Sequence, residues 1–134
     1  MAAEKKREFH ESATSLEKHF KRMIENRFNG SSWVAEKLLE MASYKVVGDT
    51  FLHSYAIEIG SPELEINTKT KLTFYPEEKW FWLEIWKAGE VIYGETNIGV
   101  KRMELNEDNS RVIIVRSDNG KRIHLGKDGR IGTL

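Results

Sequence analysis

Residues able to do chemistry or recognition are concentrated in three places. The run KWFWLEIW, residues 79–86, holds three of the four tryptophans of the 134-residue chain. Read as a strand, it sends Phe81, Leu83 and Ile85 to one face and Trp80, Trp82, Glu84 and Trp86 to the other. An indole ring brings a large apolar area and one N–H that wants an acceptor. Three of them on one face build either core beneath a helix or a wall against which a partner protein or a small apolar ligand stacks. Ile92, near the end of that face, and Trp33, at the start of an expected helix, extend the same candidate binding surface.

The second place is cationic. A three-residue loop at Asp118-Asn119-Gly120 predicts Arg116 directly opposite Arg122, with His124 nearby and Lys121, Lys127 and Arg130 at the rims. Like charges across a ladder cost energy, which an anion removes from outside or an acid such as Glu104 removes from within. Stacking rings beside such a rim are the physics of single-stranded nucleic-acid binding, the second functional reading.

The histidines are the third. His10, His19, His53 and His124 are far apart, and none has a partner at the spacing of a metal pair. His53 alternates with Phe51 and Tyr55 and is expected to point inward. There it is a hydrogen-bonded core residue or the acid/base of a small pocket enzyme, with Glu58, Glu84 or Glu95 to orient it. The chain contains no P-loop, no dinucleotide GxGxxG, no HExxH, no EF-hand loop and no GxSxG. With no cysteine, disulfides, thiolate zinc sites and thiol nucleophiles are excluded. The sequence therefore assigns no catalytic residue, metal site or cofactor.

Composition sets the frame for these residues. The length fits a single domain, 1–134, with one sizeable core. Basic and acidic side chains balance at 21 each, with net charges of +2, −5 and +3 over residues 1–48, 49–100 and 101–134. Bulk charge thus points to neither nucleic acid nor membrane. The N-terminus is charged without a following apolar run, so neither a signal peptide nor an anchor is expected, and the location expected is cytoplasmic.

The apolar period changes near residue 44. Before it, Leu16, Phe20, Met23, Ile24 and Phe28 make a helical stripe that Thr14 and Glu17 can open as a capping box and Asn29-Gly30 can close. Ser32 can cap a second helix through Ala42, giving an αα-hairpin over 13–43, with residues 1–12 expected to fray. After residue 44 the pattern alternates to the C-terminus. The loops at Lys87-Ala88-Gly89, Asp118-Asn119-Gly120 and Lys127-Asp128-Gly129 predict three-residue bulged hairpins. That rule pairs Ile85 with Val91, Trp86 with Glu90, Val115 with Ile123 and Leu125 with Ile131. Gly94 and Gly99 are expected to mark bulges in one long strand.

The fold expected is α+β: an N-terminal helical hairpin followed by a curled antiparallel meander of about seven strands, a partial barrel or helix-grip outline. The leading functional expectation is a non-enzymatic binding domain, of the size of an inhibitor or immunity-type antagonist. It would hold a partner protein or a small apolar ligand on the aromatic sheet face. A homodimer is a further partner such a face admits.

Overall fold

The structure, a computed structural model, describes residues 2–42, 46–49, 53–60, 68–127 and 131–133, with the backbone alone at 2–14, 68 and 131–133. Helix α1 spans Ala2–Arg27 and α2 spans Ser32–Met41. Eight strands follow: β1 Val46–Asp49, β2 Ser54–Ile59, β3 Thr68–Tyr75, β4 Trp80–Lys87, β5 Glu90–Leu105, β6 Arg111–Arg116, β7 Arg122–Gly126 and β8 Ile131–Thr133. They lie in chain order, every neighbouring pair antiparallel, as an open meander. The α+β class, the helical hairpin and the sequential meander agree with the sequence; the short β1 brings the described strands to eight.

Two details of the helices differ. The helix runs through Thr14 from Ala2, so the capping box does not open it. Ser31, not Ser32, caps α2: its backbone is extended and its hydroxyl accepts from the Val34 amide at 3.3 Å. Between the helices it is Asn29, with φ of 52°, that adopts the left-handed conformation. Asparagine tolerates that region, and here its side chain has a second task, donating to the Lys101 carbonyl at 3.0 Å. Gly30 is needed for closeness: an added Cβ would lie 2.7 Å from Ile24 Cγ2.

The helices cover one face of the sheet. Phe20, Ile24 and Phe28 of α1 and Val34, Leu38 and Leu39 of α2 are buried against Ile57, Ile59, Leu72, Phe74, Phe81, Leu83, Ile98, Met103, Val112, Ile114, Ile123 and Leu125. Phe74 is the hub, with ring centroids 5.9 Å from Phe20, 5.4 Å from Phe28 and 5.7 Å from Phe81. β6 is apolar on both faces for a different reason on each. Val112 and Ile114 belong to this core, whereas Ile113 lies between Glu104 and His124 and Val115 between Arg102 and Arg122. On that second side the stems of long polar neighbours shield them.

The hairpin registers correct two expectations. Ala88 (φ 50°) and Gly89 (φ 82°) form a two-residue turn with both central residues left-handed, so Lys87 faces Glu90, Trp86 faces Val91 and Ile85 faces Tyr93. In the next hairpin Arg116 closes against Lys121 around Ser117–Gly120, so Val115 faces Arg122 and Ile114 faces Ile123. Val115 and Ile123 therefore point to opposite sides of the sheet, and so do Arg116 and Arg122. Apolar residues on both sides of β6 made the one-residue slip invisible to patterning. The third hairpin pairs Leu125 with Ile131 as expected.

Truncating the hub tests the packing. Phe74→Ala is expected to lower unfolding free energy by about 3–5 kcal/mol, read from urea titration by fluorescence.

Candidate functional site

β4 and β5 build the most distinctive surface. β5 is 16 residues long and β6 only six, so β6 pairs with β5 from Val100 onward and, among the described residues, the first half of β5 has β4 as its one ladder neighbour. Register shifts opposite Phe81/Leu83 and Ile85/Trp86, and between Val100 and Arg102, twist this long strand away from a flat ladder. Asn97, with φ of 56°, sits beside the first of them. The bulges thus lie beside Gly94 and Gly99 rather than at them. Gly99 serves close approach: a Cβ there would run into Ser117 Oγ, and its carbonyl accepts from the Ser117 amide at 3.0 Å.

Trp80, Trp82, Glu84 and Trp86 stand on the sheet face opposite the helices. Core packing beneath the helices belongs instead to Phe81 and Leu83. Trp82 is exposed, with its ring 5.1 Å from that of Tyr75 and its Nε1–H donating to Asn97 Oδ1 at 3.1 Å. Trp80 and Trp86 are half-buried, and the Lys69 ammonium lies 5.3 Å from the Trp86 ring. Trp86 Nε1 is buried without an acceptor among the described residues. At the tip of the hairpin Val91, opposite Trp86, and Ile92, in the bulge beside it, are 47% and 58% exposed and continue the apolar surface past the last tryptophan, whereas Tyr93 is opposite Ile85 on the helix side.

Where β5 and the β6–β7 turn diverge, a cleft of about 550 Å³ opens on the helix side of the sheet. Leu83, Ile85 and Ile123 line its apolar part, with Tyr93, Glu95, Arg116, Asn119 and Lys121 around it. Arg116 meets Glu95 Oε1 at 2.6 Å and binds Asp118 through both Nε (3.0 Å) and Nη2 (2.8 Å). The Tyr93 hydroxyl donates to Glu95 Oε2 at 2.9 Å. The Arg116 hydrogen bond, ahead of all other causes, holds the carboxyls of Glu95 and Asp118 below the ordinary carboxylate range. Bonding to Glu95 raises the Tyr93 phenol, and the two acids raise the guanidinium. These groups satisfy one another.

The other sequence-predicted residues are dispersed. Arg122 is exposed and His124 half-buried on the far face, Lys127 is exposed, and Arg130 lies outside the described residues. Only Arg116 and Lys121 of the cationic set share the cleft, and Glu104 bonds to Arg102 rather than to them. Trp33 does not close the tryptophan cluster. It is 73% exposed beside a groove of about 950 Å³ between α2 and the β5–β6 connection, with Met103, Leu105, Glu36 and Glu40. His53 is exposed in a left-handed turn before β2 rather than inward on a strand. Its groove, about 420 Å³, contains His19, Asp49 and Glu77, and none of Glu58, Glu84 or Glu95. Among the described residues no group of three or more His, Asp or Glu is placed to hold a metal ion, and no helix is long and apolar enough to cross a membrane.

No protein-family model and no curated protein matches this sequence. Among solved structures, a chain of a contact-dependent growth inhibition toxin–immunity protein complex from Klebsiella pneumoniae 342 superimposes with a TM-score of 0.60. At 14% identity the match covers 81% of this chain and 96% of that one. The likeness is one of fold.

Sequence reasoning missed Glu95 as the partner of Arg116, and Tyr93 as the partner of Glu95. Their two-residue spacing on a strand was a signal, but the bulges that bring them to Arg116 carry no residue pattern of their own. The network has a pH signature. Because the folded-state pKa of Glu95 is lowered, its contribution is present above the unfolded value, about 4.3, and is lost as pH falls through the lower folded value. Unfolding midpoints measured from about pH 6 down to about pH 3 should therefore drop less steeply in Glu95→Gln than in the parent chain.

Proposed function

We propose that this chain is a non-enzymatic interaction domain that holds a partner protein against the bare aromatic face of its sheet and blocks what that partner does. One observation carries the reading: Trp80, Trp82 and Trp86 stand on the face the helices leave uncovered, and that face merges at the hairpin tip with exposed Val91 and Ile92. From Trp80 to Trp86 the stripe runs about 20 Å, an extent that suits a protein surface better than a small apolar ligand. Tryptophan and tyrosine are the residues on which such interfaces concentrate their energy. The ionisable groups of the neighbouring cleft are turned on one another, which suits a scaffold rather than a poised acid and base.

The fold likeness to a chain from a toxin–immunity protein complex supports a protein-binding role, since that chain belongs to a complex of two proteins. A cytoplasmic location forms part of this proposal. The nucleic-acid alternative draws less support, since Arg116 is committed to Glu95 and Asp118 and Arg122 is on the other face.

Affinity capture from native-host lysate tests the reading, with the parent chain compared with Trp82→Ala/Val91→Asp. Equimolar recovery of one protein by the parent and its loss by an equally folded variant is expected. Equal recovery by both, or native mass spectra showing only a bound small molecule, would contradict it.

A further inference from the structure

We propose that the free edge of β5, along residues 90–97, is a self-pairing surface through which two copies of this chain join their sheets antiparallel. β5 pairs with β4 from Glu90 to Gly99, whereas β6 reaches it only at Val100. Among the described residues, no strand pairs with the other edge of 90–98. A strand edge of this kind presents unpaired N–H and C=O groups that only another extended chain can satisfy in ladder geometry.

Some of the usual protections of such an edge are missing, although the bulges at Ile92 and at residues 96–97 and the Glu95 carboxylate remain on it. Between residues 90 and 100 there is no lysine, arginine or proline, and the charge on Glu95 is compensated by Arg116. Val91, Ile92 and Tyr93, the residues that would meet the incoming strand, are instead apolar and exposed. The two bulges bracket a regular stretch, Tyr93–Glu95, which would form the centre of the contact.

The two ends of the edge identify a second copy as the occupant. One end is the Ala88-Gly89 turn flanked by Lys87 and Glu90; the other is the β6–β7 turn, which contains Asp118 and is closed by Lys121. An antiparallel second copy sets the first turn of each chain against the second turn of the other, bringing Glu90 of each toward Lys121 of the other. Opposite charges then meet twice over, once at each end of the two-fold contact. Neither Glu90 nor Lys121 has an ionic partner of its own among the described residues. The joined sheets would carry the two tryptophan faces side by side.

Sedimentation equilibrium over roughly 1–200 µM tests this without any partner. The parent chain should show a reversible dimer. Glu90→Lys or Lys121→Glu should each weaken it by about tenfold or more, and the combined Glu90→Lys/Lys121→Glu chain should recover it. Ile92→Lys/Thr96→Lys should abolish it while circular dichroism confirms the fold. A chain monomeric throughout that range would overturn the proposal, as would a dimer indifferent to these substitutions.

Discussion

A mismatch of strand lengths governs this molecule. β5 needs neighbours along 16 residues, and β6 supplies pairing only from Val100 onward. The remainder is held by β4 on one side and, at its junction with the β6–β7 turn, by Arg116. Without that guanidinium, which joins Glu95 of β5 to Asp118 of the turn, two carboxylates and a tyrosine hydroxyl would face each other across a partly closed cleft. The same divergence leaves the hairpin tip, with Val91, Ile92 and Tyr93, projecting beyond the part of the sheet that β6 and β7 extend.

The helices and the sheet divide the aromatic residues by face. Phenylalanines 20, 28, 74 and 81 lock α1 to the strands, whereas the tryptophans of β4 point the other way and owe their partial cover to Tyr75, Lys69 and Asn97. A strand apolar on both sides normally means a sheet buried on both sides. Here one side is core and the other is half-covered, with Trp82 exposed and Trp80 and Trp86 half-buried.

Much of the fold was legible because period and turn chemistry are local. The stripe from Phe20 to Phe28, the change of period near residue 44 and the pairing of Leu125 with Ile131 follow from residue spacing alone. The registers of the first two hairpins were not. Ala88 accepts a positive φ that its side chain disfavours, and the Arg116–Lys121 closure enlarges a turn that reads equally well as a three-residue loop. Because Val112–Val115 is apolar throughout, nothing in the pattern penalised the wrong register. The site followed the registers. The three strand tryptophans were found as a group and share a face, while the supposed arginine pair split across the sheet and the Tyr93–Glu95–Arg116 network emerged only with the bulges.

The half-paired state of β5 can be measured directly by amide hydrogen exchange on dilute protein. Amides of residues 102–105, bonded to β6, should be protected; a substantial share of those from 91 to 97 should exchange orders of magnitude faster. Uniform protection along the whole strand at the lowest concentration would mean that its first half is already covered within one chain, contradicting the account.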